Sequence, residues 1–269
     1  MPKLLHTLRT SSCADNKLLT VFNSSLRYGL TTILNIDLTD DQWTQAEHSS
    51  DWLHAQPITA VGLRLNDEIV RISIATRLAA RACEPHTCLC GKEVDARGLH
   101  GLSCRKSAAR HIRHAHLNDT IWRAVKRAHI PAVKEPFGLS RADGKRPDGA
   151  TLIPWAGGKA LAWDVTVADT FALSHVGDTS ILAGAAANHA MSLKTSKYYN
   201  IAVTNIFVPV AIETGGAWDI EASEFIQELG KRITVCTKDP KETQYLFQQL
   251  SMAIQRGNVV SFLNTFSTD

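Results

Sequence analysis

Lys145-Arg146-Pro147-Asp148-Gly149 and, beyond the pair Gly157-Gly158, Leu161-Ala162-Trp163-Asp164-Val165-Thr166-Val167 are the stretches whose reading decides the fold. Their apolar and β-branched residues predict strands over 149 to 155 and 160 to 167, with the glycine pair as the reversal of a hairpin. Asp148 follows a proline at the start of the first strand. Asp164 stands inside an apolar run, where a charge needs a partner. In hairpin geometry the two carboxylates converge at one end of the sheet, with the carbonyl of Val165 as a third oxygen. Hard oxygen ligands suit Mg²⁺ or Mn²⁺, and such an ion activates water and stabilises a departing phosphate oxygen. The plainer alternative is a turn aspartate followed by a strand-end aspartate that caps the next segment.

Working outward, a strand over 133 to 135 precedes the hairpin, and a helix over 182 to 199 follows it. Then come a strand from 201 or 205 to 212 and closing helices over 221 to 232 and 240 to 256. Asp239 is read as the cap of the last helix, Pro240 as its first turn and Gly257 as its end. A long helix over 107 to 128 should turn Ile112, His116, Ile121 and Val125 to one face and most arginines to the other. These elements predict a mixed α/β domain over 107 to 269. Residues 1 to 82 read as a helical region: 17 to 33 and 66 to 82 carry helical apolar spacing, and Asp40 or Asp41 caps a turn into Trp43.

The chain has 269 residues, 44% of them hydrophobic, enough to bury a sizeable core. Met1 to Thr10 carries two charged residues and no apolar run of signal-peptide length, so neither export nor a membrane span is expected. The net charge of +3 hides an asymmetry. Residues 101 to 146 hold eleven Lys or Arg, Arg110, Arg113 and Arg146 among them, against Asp119, Glu135 and Asp143, a local balance of +8 that leaves −5 elsewhere. A basic segment leading into paired carboxylates is the distribution that draws a polyanion toward a metal site.

Of six cysteines, Cys83, Cys88, Cys90 and Cys104 crowd together, while Cys13 and Cys236 stand alone. Cys88-Leu89-Cys90, then His100 and Cys104, supply three thiolates and an imidazole, the set that tetrahedral Zn²⁺ prefers. One residue between the first two cysteines is tight, which leaves Cys83 or His86 open as a ligand in place of Cys88 or Cys90. Gly91 and Gly101 would give the loop positive φ beside its ligands. Four protein ligands leave no open position, so the expected zinc is structural.

The acidic pair also needs a cation. Lys194 and Lys197 lie one turn apart on the helix after the hairpin, with Tyr198 beside them. Glu135, near the end of the strand before the hairpin, is a further carboxylate candidate, and Glu213 is a weaker one for the site's rim. Taken in order, Cys88-x-Cys90-Gly91, His100-Gly-Leu-Ser-Cys104, Arg113-His114 with Asn118, Glu135-Pro136, Arg146-Pro147-Asp148, Trp163-Asp164-Val165-Thr166 and Lys194-x-x-Lys197-Tyr198 resemble the carboxy-terminal part of non-LTR retrotransposon polyproteins. In that family a zinc knuckle precedes a restriction-enzyme-like endonuclease of the PD-(D/E)xK superfamily.

The resemblance implies a PD-(D/E)xK mixed sheet flanked by helices over 107 to 269, a knuckle over 83 to 106, and a region over 1 to 82 that would link to a reverse-transcriptase core. It assigns metal binding to Asp148 and Asp164 and the catalytic lysine to Lys194. That accounts for Thr166 standing where restriction-type nucleases usually place a lysine. It further implies that Arg113 and His114 contact nucleic acid, with Arg110, Arg146 and Tyr198 as further contacts. The implied function is Mg²⁺-dependent nicking of DNA that leaves a 3′ hydroxyl, with element RNA as a second partner and a nuclear location following from the substrate. The rival expectation is a catalytically silent nucleic-acid-binding module with the knuckle and basic helix intact.

Overall fold

A computed structural model describes residues 47–139 and 144–267. Along the chain run helices α1 (Asp51–His54) and α2 (Asp67–Arg77), strands β1 (His86–Thr87) and β2 (Glu93–Val94), and helices α3 (His100–Ser103) and α4 (Ala109–Arg127). Strands β3 (Ala132–Lys134), β4 (Gly149–Ala156) and β5 (Lys159–Ala168) follow, then helices α5 (Val176–Ile181), α6 (Ala185–Lys197) and α7 (Tyr199–Thr204). Strand β6 (Ile206–Glu213) and helices α8 (Ile220–Thr237) and α9 (Glu242–Leu263) close the order. Among the described residues no helix is long and apolar enough to cross a membrane.

The fold is mixed α/β, with a four-stranded sheet ordered β3-β4-β5-β6 between helices. β3, β4 and β5 pair antiparallel, and β6 joins β5 in parallel after the helical crossover. Gly157 and Gly158 both adopt positive φ, 56° and 75°, the backbone that a two-residue hairpin turn needs. Side chains alternate across β5. Leu161, Trp163 and Val165 face a core built from α4, α8 and α9, while Ala162 packs with Tyr198 and Ile201 on the opposite face, so Asp164 points toward α6. The Trp163 indole is fully buried, which contributes about 4–6 kcal/mol at ~25 cal/mol per Å². Gly149 lies opposite it, and a Cβ there would come 2.1 Å from the ring, so only glycine fits.

Three expectations are corrected in part, for identifiable reasons. First, Ile121 and Val125 are buried as predicted, but the first half of α4 is turned relative to the predicted face: Ile112 and His116 are exposed, and Ala109, Arg113, Leu117 and Asn118 are buried. The partner surface is polar at the start of α4, so apolar spacing misplaces the phase there. Second, the helix read over 182 to 199 is present but shorter at both ends, spanning Ala185–Lys197 as α6. α5 ends at Ile181, and Gly184 at φ 85° begins α6; a Cβ at Gly184 would lie 2.9 Å from the Trp218 carbonyl. Third, Gly257 does not end α9. It is the notch where α4 crosses, and a Cβ there would come within 2.4–2.8 Å of the Arg113 side chain.

α9 also organises the earlier residues. Trp52 and Leu63 pack on its Met252, and Ile72, Ala75 and Ala82 on its Val259 and Phe262. The helix predicted over 66 to 82 starts at the Asn66 cap, whose side chain accepts from the Ile69 N–H, and stops at Arg77. The helix predicted over 17 to 33 and the turn at Asp40 or Asp41 lie outside the described residues.

Candidate functional site

Register sets the acidic pair. Gly149 pairs with Trp163, so Asp148 stands beside Asp164 on the α6 face. Asp148 Oδ2 accepts the Val165 N–H at 2.6 Å and is bonded by His114 Nε2 at 2.9 Å. Its carbonyl accepts from Asn118 Nδ2 at 3.2 Å, and Asn118 Oδ1 accepts the Trp163 indole N–H at 2.9 Å. His114 and Asn118 are one turn apart on α4, so one helix face grips both the side chain and the backbone of Asp148. Among the described residues Oδ1 has no hydrogen-bond partner. Val165 contributes its N–H to this arrangement.

Asp164 is buried and accepts a hydrogen bond from Lys194 Nζ. Burial first, and then the charge of Asp148, push its carboxyl above the usual range, with Lys194 opposing. His114 is held above its ordinary value by the Asp148 hydrogen bond, against burial. The structure thus brings Asp148, Asp164, Lys194 and His114 together. Tyr198 sits beside them, its hydroxyl donating to the Arg146 carbonyl at 3.0 Å, but it is packed with Ala150, Ala162 and Ile201 and is too buried to serve as the nucleic-acid contact expected from the sequence.

Other predicted residues fall elsewhere. Lys197 is exposed and joins neither carboxylate. Glu135 lies next to Asp148 through its backbone N–H, 3.1 Å from the Asp148 carbonyl, but its side chain is exposed and joins neither aspartate. Arg110 is exposed on α4, as a nucleic-acid contact requires. Arg113 is not available for that role. It is 2% exposed, donates to Asn258 Oδ1 at 2.8 Å and to the Leu102 carbonyl at 3.2 Å, and is lowered to about 10 by burial. It is an internal tie between α4, α9 and α3.

Glu213, at the end of β6, is a buried anchor. Its Oε1 accepts the Ala186 and Ala187 N–H groups at 2.9 and 3.4 Å, and its Oε2 accepts the Thr170 hydroxyl at 3.1 Å. Those amides have no intrahelical acceptor at the start of α6, so Glu213 satisfies them, and α6 carries Lys194 to Asp164 about 13 Å further along. Burial raises Glu213 to about 7. Its folded pKa therefore lies above its unfolded one, so its contribution is complete below about pH 4.5 and is lost as pH rises through about 7. Glu213→Gln should flatten the fall in unfolding free energy between pH 5 and 8, by an amount on the order of 3 kcal/mol. Asp219, raised to about 6 by burial, leaves a residual slope. Equal pH slopes in urea unfolding for both proteins would refute the assignment.

Among the described residues the only group of three or more His, Cys, Asp or Glu close enough to share an ion is Cys88, Cys90, His100 and Cys104, with ligand atoms all within 4.8 Å of one another. Cys88 Sγ and Cys104 Sγ are 3.8 Å apart, and Cys90 Sγ and His100 Nε2 are 3.2 Å apart. A tetrahedron with ~2.3 Å zinc–sulfur bonds has edges of about 3.8 Å. The cluster can therefore hold a metal such as zinc. Burial and Lys92 hold His100 below its ordinary value, which favours the neutral, ligating imidazole. Cys83 and His86 are not ligands: the Cys83 thiol faces the Asp95 and Ala96 carbonyls, and His86 meets Thr265 and stacks on Phe266. Gly91 has the expected positive φ, 86°. Gly101 is instead a contact residue on α3, where a Cβ would lie 2.8 Å from the Ser261 carbonyl. Compared with protein-family models and with curated proteins, the chain matches none.

Proposed function

We propose that the chain is a metal-dependent DNA endonuclease of the PD-(D/E)xK type, with the Cys88, Cys90, His100, Cys104 cluster acting as a zinc knuckle. The observation that carries the reading is the convergence of Asp148 and Asp164 at one end of the β4–β5 hairpin, with Lys194 delivered to Asp164 from the next helix. The order of motifs from Cys88 to Tyr198 supports it further. What supports a divalent ion here is that Asp148 keeps one oxygen without a hydrogen-bond partner among the described residues and stands beside the buried carboxylate of Asp164. When bound, Mg²⁺ or Mn²⁺ supplies an acidified water and a counter-charge for the departing oxygen.

The chain's own residues do the positioning. His114 and the Val165 N–H fix Asp148 Oδ2, which leaves its other oxygen for the ion. The Lys194 ammonium orients the water or neutralises charge at the phosphate. Exposed basic residues of the 101 to 146 segment, Arg110 and Lys106 among them, hold the backbone without reading sequence. A DNA substrate implies a nuclear location.

Gel shift and plasmid nicking in Mg²⁺, Mn²⁺ and EDTA test this reading. Supercoiled plasmid should convert to open circles with either ion and stay supercoiled in EDTA, and binding should weaken steeply with salt. Salt-sensitive binding without cleavage under any divalent ion would replace the nuclease with a silent binding module.

A further inference from the structure

We propose that Phe137 and Arg146 form a stacking platform for an unpaired nucleobase beside the acidic pair, so that the preferred substrate is DNA whose strand is single or distorted near the cut. This rests on the nucleic-acid reading above and deepens it.

Phe137 opens a 3-10 turn, Phe137–Leu139, and is 87% exposed. A lone exposed apolar residue is ordinary. This one, however, lies under a guanidinium: Arg146 stands 4.4 Å above the ring centroid. Arg146 is itself fixed, donating to the Glu135 carbonyl at 3.3 Å while its own carbonyl accepts from Tyr198 at 3.0 Å. The pair is therefore preassembled rather than a side chain adrift in solvent.

The chain path fixes the platform near the chemistry. Arg146 is two residues before Asp148, and the Glu135 N–H is bonded to the Asp148 carbonyl at 3.1 Å. Phe137 is two residues beyond Glu135, at most about 7 Å away by Cα, so with the Glu135–Asp148 separation and the side chain's own length added, the ring lies within roughly five base steps of Asp148 at ~3.4 Å per step. Aromatic rings and guanidinium planes stack nucleobases without regard to sequence. A paired base is already stacked in its duplex and must first be unstacked, so such a platform discriminates in favour of a single strand, flap or bulge.

Binding in EDTA tests the proposal without relying on cleavage, using the full chain and a 20-mer as single strand, as intact duplex and as duplex with an unpaired flap carrying 2-aminopurine. Phe137→Ala should weaken single-strand and flap binding about 5- to 100-fold and leave intact duplex within about twofold. The salt slope should not change, because no charge is removed. Phe137→Trp should retain affinity, and its indole emission should be quenched by the single strand. Arg146→Lys keeps the charge but loses the plane, and should follow Phe137→Ala in direction. Equal losses on all three DNA forms, or none, would overturn the platform while leaving the nuclease reading intact. A wild-type chain that binds no nucleic acid would overturn both.

Discussion

Asp164→Asn should reduce Mg²⁺-dependent nicking by at least about a thousandfold, a barrier increase of roughly 4 kcal/mol, and Asp148→Asn should match it. The substitution keeps the shape of the side chain and removes the charge that a divalent ion requires. DNA affinity in gel shift should hold or tighten slightly, since a negative charge has gone from a surface that meets phosphates. Folding should survive, because the side chain that loses its counter-charge, Lys194, is partly exposed and can turn to solvent. His114→Ala provides the graded comparison. It removes a hydrogen bond to Asp148 and no ligand, so its expected cost is about 10- to 100-fold in metal response, with recovery in His114→Gln. If both aspartate variants nick as wild type does, the two carboxylates have no hydrolytic role.

Cys104→Ser, or prolonged chelation, should unfold residues 83 to 106 and lower the cooperative unfolding temperature of the rest. A four-ligand zinc site adds its binding free energy to folding, and this one has little core of its own: Cys88, Val94 and Cys104, with Cys90 packed against them. The damage should spread. Gly98 and Gly101 abut Phe262 and Ser261 of α9, and the Leu102 carbonyl accepts from buried Arg113. Without Leu102, that guanidinium loses one of its two acceptors among the described residues, a cost of about 1–3 kcal/mol. Zinc release measured with a colorimetric chelator, alongside circular dichroism, checks this. Full zinc loss with an unchanged unfolding curve would sever the link between the cluster and the remaining fold.

The hairpin was legible because its signals are local: two glycines for the turn, alternation for the strands, a buried charge that demanded a partner. The Cys/His set was legible for the same reason, and the geometry chose among alternatives that spacing left open. What the sequence concealed depended on tertiary approach. Gly184 and Gly257 look like a mid-helix residue and a stop signal, yet each is set by a neighbour, the Trp218 carbonyl and the Arg113 side chain. Arg113 reads as a surface cation because buried guanidinium groups are rare, and only Asn258 and Leu102 reveal its use. His114 was visible as part of a motif, but its partner lies 34 positions away.

Arg113 and His114 are consecutive, so on a helix their side chains diverge by about 100°. One reaches toward the cysteine-rich loop through Leu102, the other holds the acid at the mouth of the hairpin. A single peptide unit of α4 is thus the axle on which both centres turn. A twist of α4 by a few tens of degrees would therefore strain both contacts at once, so neither loop nor hairpin can shift against this helix alone.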